Sequence, residues 1–194
     1  MAQGHGPSGT IAQKYLRQRK AGTIRHKGKK LKDILDAHEK FHKGHPGGER
    51  ADLSGANLSR ADLKKRDLTG ANLAGSNLRK ADLRGAKLSH ADLSRADLRQ
   101  ADLRNCDFTE TRLEGADLSE ADLSGTELFR GDLRSAKLHK TILRGTVLRQ
   151  ANLRGADFSG SDLALASFRE IDLTDVKLDG AELKDAVVRD NRKS

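Results

Sequence analysis

From Leu53 to Val188 a large apolar residue returns at every fifth position, with no insertion and no slip of register. Leu fills 24 of these 28 positions, and Phe108, Phe158, Phe168 and Val188 fill the rest. Two residues before each stands a small residue, usually Ala, with Cys106, Thr111, Gly131 and Ser161 as variants and Arg66, Ile171 and Val176 as exceptions. A period of five matches neither a helix face nor strand alternation. It suits a short extended piece and a turn, repeated, with the large residue and its small partner pointing inward and the other three outward. A narrow tube has room for only one large and one small side chain per repeat. Gly55, Gly70, Gly75 and Gly85 occupy the fifth position, where a turn is expected. The candidate core therefore includes Leu53, Leu83, Leu103, Phe108, Leu123, Leu143, Phe158 and Phe168.

Units such as Ala51-Asp52-Leu53-Ser54-Gly55 and Ala56-Asn57-Leu58-Ser59-Arg60 resemble the pentapeptide repeat family, whose motif is A-(D/N)-L-X-X. The resemblance covers 140 of the 194 residues. It implies an all-β solenoid, a right-handed quadrilateral β-helix with four repeats per coil and about seven coils. At a strand spacing of ~4.8 Å the rod would be roughly 34 Å long. Burying each Leu would contribute roughly 1.5–3 kcal/mol, with every coil supported by its neighbours. The irregular last units, Ala181 to Asp190 with Val187 and Val188, suit a terminal coil or a surface for homodimer formation.

Before the repeats the pattern changes to helical spacing. Leu31, Ile34 and Leu35 share one face of a helix expected from about Leu31 to Lys43, which would cover the open first coil. The Gly-rich joint His45-Pro46-Gly47-Gly48 completes a capping segment over residues 31–50. Residues 1–30 read as a basic, flexible leader. Thr10 and Gln13 form a capping-box pattern for a short helix over 11–20, with Gly22 to close it. The β-helix takes residues 51–190, and 191–194 form a tail.

Charge changes the picture of the leader more than of the array. Residues 1–50 hold 12 Lys/Arg and 4 Asp/Glu, whereas 51–194 hold 25 and 24. Lys14, Arg17, Arg19, Lys20, Arg25, Lys27, Lys29, Lys30 and Lys32 form a run that suits nucleic acid phosphates, an anionic membrane, an acidic protein, or a solvated tail. A single cysteine, Cys106, excludes an internal disulfide, and no apolar run reaches the ~18 residues of a membrane span. A cytoplasmic location is the expectation.

His38-Glu39-Lys40-Phe41-His42 matches H-E-x-x-H, which makes His38 and His42, with His45, weak candidate metal ligands. A zincin needs a catalytic domain that some fifty residues do not supply, so no metal and no cofactor is expected. No nucleophile–base set or phosphate loop appears, and no small-molecule substrate is implied; the chain reads as a non-enzyme.

Residues twenty apart should stack. On the third face Asp62, Asp82, Asp102 and Asp122 would run beside Lys64, Arg84 and Arg104, a self-neutralised pair of columns. Phe129, Ile142, Val147 and Leu165 break the polar rule on the outside, beside Arg149 and Arg169, and predict a protein-binding site around the corner between the third and fourth faces. The expected function is thus a scaffold for protein–protein interaction. One alternative is an adaptor whose leader binds nucleic acid or membrane through residues 14–32. Another follows from the resemblance: the quinolone-resistance branch presents a DNA-like acidic surface to DNA gyrase. This array departs from that branch in being nearly neutral and in having only three central Phe residues.

Overall fold

The computed structural model describes residues 18–189. Within the repeats, Asp52 bridges Asn72 in parallel, Asn72 bridges Asp92, and the same twenty-residue step recurs from Asn57, Asp62 and Asp67. Four repeats therefore make one coil of a β-solenoid, with four strips of rungs along its length. We number the faces 1 to 4 after Leu53, Leu58, Leu63 and Leu68. Each rung is a pair of bonds: Leu53 N–H donates to Asn72 O (2.7 Å) and Asn72 N–H donates to Ala51 O (2.9 Å). Every candidate core residue named above is buried, and Phe158 and Phe168 meet edge to face with centroids 6.5 Å apart.

The second residue of the repeat has a local task that its charge conceals. Asp52 Oδ1 accepts the backbone N–H of Ser54 (3.1 Å), and Asn57, Asp92, Asp107 and Asp122 do the same two residues on. This is an Asx turn, which starts the corner and satisfies an amide that the rungs leave over. The fifth residue then takes a left-handed conformation whether it is Gly55 (φ 64°) or Arg60 (φ 56°). Glycine is therefore not required there, since the side chain projects into solvent and only backbone strain opposes a long one.

The two ends are built differently. At the N-terminal end Arg19 N–H donates to Arg60 O (2.6 Å) and Arg19 O accepts Asp62 N–H (3.0 Å), so Arg19 lies as a strand ahead of the first coil on face 3. Residues 18–20 are thus not the end of a helix, and residues 11–17 of the expected 11–20 helix lie outside the described residues. A 3-10 turn at Ala21–Thr23 leads to a hairpin, β1 (Arg25–His26) and β2 (Lys29–Lys30), joined by Lys27 and Gly28 at positive φ. This gives residues 18–30 a defined fold in place of a free leader. The helix α1 (Leu31–His42) follows, and Ile24, Leu31, Ile34, Leu35 and His38 are buried against the first coil. Gly48 sits against the backbone of Phe41, where a Cβ would collide, so the joint can cross the helix end only as glycine.

At the C-terminal end no such cover exists among the described residues. Leu173 and Leu178 are half-buried, Leu183 is 41% exposed and Val188 54%. On face 2 the register holds, with Phe158 N–H donating to Lys177 O (2.9 Å). On face 1 it slips: Ser135 N–H reaches Arg154 O, nineteen residues on (3.0 Å), but Gly155 N–H reaches Asp175 O, twenty on (3.2 Å). Strands β3 (Ser167–Arg169) and β4 (Val187–Arg189) pair in parallel on face 4. The tail, 191–194, lies outside the described residues.

Candidate interaction surface

Most of face 3 is a continuous ion ladder. The guanidinium of Arg84 holds Asp82 through two bonds (2.9 and 2.8 Å), and Arg104 holds Asp102 in the same way (2.8 and 2.7 Å). Lys64 lies 3.8 Å from Asp82, Arg84 3.8 Å from Asp102, and Arg104 3.7 Å from Asp122. Asp82 and Asp102 are buried beneath these arms. A carboxylate so enclosed needs its cations. Elsewhere Arg99 on Asp97 and Arg134 on Asp132 hold those carboxyls below the usual range, chiefly by the side-chain hydrogen bond.

The ladder is interrupted in the fifth coil, residues 131–150, and resumes where Arg144 pairs with Asp162. Ile142 takes the next Asp position and bridges Asp122 above and Asp162 below. On the adjoining face Val147 bridges Glu127 and Ser167, and on face 2 Lys137 bridges Asp117 and Asp157. Three of the four Asx positions of this coil thus carry side chains unable to cap the turn. Ile142 is 40% exposed and Val147 39%. Leu165, at the corner between faces 3 and 4 one coil on, is 62% exposed with φ 61°, an aliphatic side chain in a left-handed conformation. Phe129 stands at the opposite edge of face 4, past Leu128, so the expected patch spans the whole of that face and not one corner. Its ring is flanked by Arg130 (4.8 Å) and Arg149 (5.8 Å), a cation–π contact that fixes it. Arg149 also pairs with Glu170 (3.3 Å), and Arg169 is exposed.

The basic run is partly consumed inside the molecule. Lys27 pairs with Asp52 (2.6 Å), Lys29 with Glu49 (3.0 Å) and Lys32 with Asp36. Lys14 and Arg17 lie outside the described residues. Arg19 is docked as described above, and Lys20, Arg25 and Lys30 remain exposed.

The histidines of α1 meet, with rings 4.6 Å apart, but each has a structural partner. His38 Nδ1 accepts Ala51 N–H (3.1 Å) beneath the first coil, and His42 Nε2 donates to Thr69 O (2.8 Å). Burial, then the charge of His42, pushes the His38 imidazole below its ordinary value. His45 lies beyond the helix, and among the described residues no group of three or more His, Cys, Asp or Glu gathers in metal-holding geometry. Cys106 is buried, donates to Leu83 O (2.9 Å), and is pushed up to about 12 by burial. Among the described residues no helix is long and apolar enough to cross a membrane.

The sequence pointed to the outward apolar residues through their break with the polar rule. It missed the Asx turns, because a column of Asp reads as charge until the backbone amides beside it are seen. It also missed the internal pairing of the leader, since Asp52 and Glu49 lie more than nineteen residues from their lysines.

A family model agrees with this repeat pattern. The family model for pentapeptide repeats matches in 8 copies over residues 49–65, 67–105, 86–125, 96–134, 132–169 and 151–190. HetL of the cyanobacterium Nostoc sp. strain PCC 7120, a pentapeptide repeat protein involved in regulating heterocyst differentiation, is 34% identical over 71% of this chain and 82% of its own, with a TM-score of 0.31. A trypsin-treated variant of QnrB1, a plasmid-mediated fluoroquinolone resistance protein, is 24% identical over 72% of this chain and 78% of its own, with a TM-score of 0.46. A pentapeptide repeat protein from the thylakoid lumen of Arabidopsis thaliana is 34% identical over 56% and 66%, with a TM-score of 0.28. No curated protein matches the chain.

Proposed function

The chain belongs to the pentapeptide repeat family, and on that premise we propose that it is a non-enzymatic cytoplasmic scaffold that binds another protein across the Phe129, Ile142, Val147 and Leu165 surface. The fold takes the right-handed quadrilateral form that the resemblance implies. One observation carries the reading: in the fifth coil the chain gives up three Asx caps and a rung of the ion ladder, and exposes Ile142 and Val147 instead. A repeat protein loses local stability by such exchanges, so a compensating use of the surface is expected. Arg149 and Arg169 border the apolar centre, the arrangement of an interface with a polar rim.

The test is affinity purification of the intact chain beside a Phe129→Asp/Val147→Asp variant whose circular dichroism is unchanged. Loss of a wild-type partner supports the surface. Retention of every partner overturns it. Leu165→Gly gives a second reading, because relief of the left-handed strain, about 1 kcal/mol, should raise stability while binding falls. The gyrase alternative is checked by DNA supercoiling with purified gyrase, and an absence of both inhibition and drug protection removes it.

The exposed ends of Leu183 and Val188 favour a second interaction, a homodimer through the last coil. Sedimentation of Leu183→Asp against wild type decides it: the dimer dissociates, or there was no dimer to lose.

A further inference from the structure

The near neutrality of the repeat array conceals a separation of charge along the rod. Residues 18–90, the N-terminal cover and the first two coils, hold 18 Lys/Arg against 8 Asp/Glu. Residues 91–190 hold 15 against 20. Part of that excess forms a line along one corner, where face 2 turns into face 3. Arg60 occupies that corner in the first coil, Arg79 and Lys80 in the second, and Arg99 in the third. Successive rungs join them directly: Arg60 N–H donates to Arg79 O (2.9 Å) and Lys80 N–H to Arg99 O (3.0 Å). The leader extends the same corner upward. Arg19 N–H bonds Arg60 O (2.6 Å), and its guanidinium donates to Ser59 O (3.4 Å).

The anions that neutralise other columns are sparse here. Arg99 is held by Asp97, and Arg79 acts on Asp97 at longer range. Arg60, Arg79 and Lys80 are exposed, and among the described residues none of them has a carboxylate within ion-pair distance. The ridge ends where Gln100 donates to Glu120 (2.7 Å). Its cations are therefore stacked at the strand spacing of ~4.8 Å over roughly 14 Å, a straight line of positive charge.

We propose that this ridge, Arg60, Arg79 and Lys80 with Arg19 at its head, binds the phosphate backbone of duplex nucleic acid without reading its sequence. A linear column suits a linear polyanion. No aromatic side chain stands on the ridge to stack on an unpaired base, which points away from single-strand recognition. The exposed large apolar residues on the described chain are Phe41 and residues of the fifth to seventh coils, so nothing on the ridge would enter a bilayer. The acidic far half of the rod would be repelled by the same duplex, so contact is made at the N-terminal half. The proposal goes beyond the protein-binding surface and stands or falls separately from it.

The test uses the full chain, a fluorescent 20-base-pair duplex of arbitrary sequence, and anisotropy at increasing salt. About four neutralised phosphates give a log–log salt slope near −3.6, so affinity should fall on the order of a hundredfold between 50 and 200 mM salt. Arg60→Glu/Arg79→Glu/Lys80→Glu should abolish binding at 50 mM salt. Lys137→Glu/Lys140→Glu/Lys177→Glu, which changes net charge equally, should retain most of it. All six positions are exposed or at the surface, and circular dichroism verifies the fold of each variant. The proposal is overturned by absence of binding at 50 mM salt, by equal losses in the two triple variants, or by binding to phosphatidylserine vesicles with none to the duplex. Partner capture through the fifth coil should be unaffected by the ridge variant, so failure of either idea leaves the other standing.

Discussion

The two ends of the solenoid show what a single coil lacks. At the N-terminal end Ile24, Leu31, Ile34 and Leu35 lie over the first coil, and Leu53, Leu58, Leu63 and Leu68 are buried as deeply as any residue in the middle. At the other end the same inward positions, Leu173, Leu178, Leu183 and Val188, stay half-buried or exposed. The repeat is the same, so the difference comes from what lies beyond it. Burial in this fold is a property of neighbouring coils, and stability should be graded accordingly along the axis.

A charge placed inside the rod breaks this comparison most severely. Leu103→Asp puts an unpaired carboxylate among buried neighbours in the third coil and should destabilise by at least about 5 kcal/mol. Leu183→Asp, already in water, should cost less than about 1 kcal/mol. Urea unfolding of both variants provides the measurement, and similar losses would mean that the last coil is covered in solution, as the proposed dimer requires. The next effect tests the cover. Leu31→Ala removes a buried side chain from between helix and first coil, with an expected loss of about 2–5 kcal/mol. If stability is unchanged, the helix does not support the solenoid.

His38 makes the same cover sensitive to pH. Its neutral imidazole accepts the Ala51 amide, and burial holds its proton affinity down in the folded state. Asp67 opposes the shift, while His42 and Arg50 reinforce it. The unfolded chain then binds the proton more readily. The stability contribution is complete above the ordinary value near 6.5 and is lost as pH falls below it. Thermal unfolding between pH 7.5 and 5 should show a decline that His38→Gln removes, smaller than the effect of Leu31→Ala.

Both the period of five and the neutral bulk charge were legible in the sequence, but with different yield. The period implies the coil because each Leu must be inside and a register slip would expose it. The helix over the first coil was legible from Leu31, Ile34 and Leu35 for the same reason. The bulk charge was not informative, since ion pairing joins residues that only the coil brings together: Lys27 with Asp52, Arg104 with Asp122, Arg134 with Glu114. The patch at Ile142 and Val147 was visible as a broken pattern, although its extent across face 4 needed the turn geometry of Phe129.

A smaller effect separates two serines at the same inward position. Ser161 Oγ donates to Leu138 O, whereas Ser76 Oγ is buried with no hydrogen-bond partner. Ser76→Ala should therefore stabilise the protein by about 1 kcal/mol, and Ser161→Ala should destabilise it by a similar amount. Melting curves that shift in one direction for both would show that water reaches Ser76.

The smallest change in free energy tests why face 1 slips in the last coil. Val176, at the small position of face 2, leaves the register intact, and so do the buried Thr141 and Thr146 of the fifth coil. The inward site therefore accepts a β-branched side chain of that size. Ile171 adds one further methyl group, is itself buried, and opens the only repeat of the described coils whose carbonyl accepts a fifth-residue N–H from twenty residues before. Ile171→Ala removes the wedge but also gives up burial, and the two terms oppose each other within about 1–2 kcal/mol in a coil that opens before the rest. Global stability should hardly move, while Gly155 N–H should return to Thr174 O. A structure of the variant with Gly155 still bonded to Asp175 would place the cause in the uncovered end and not in the size of Ile171.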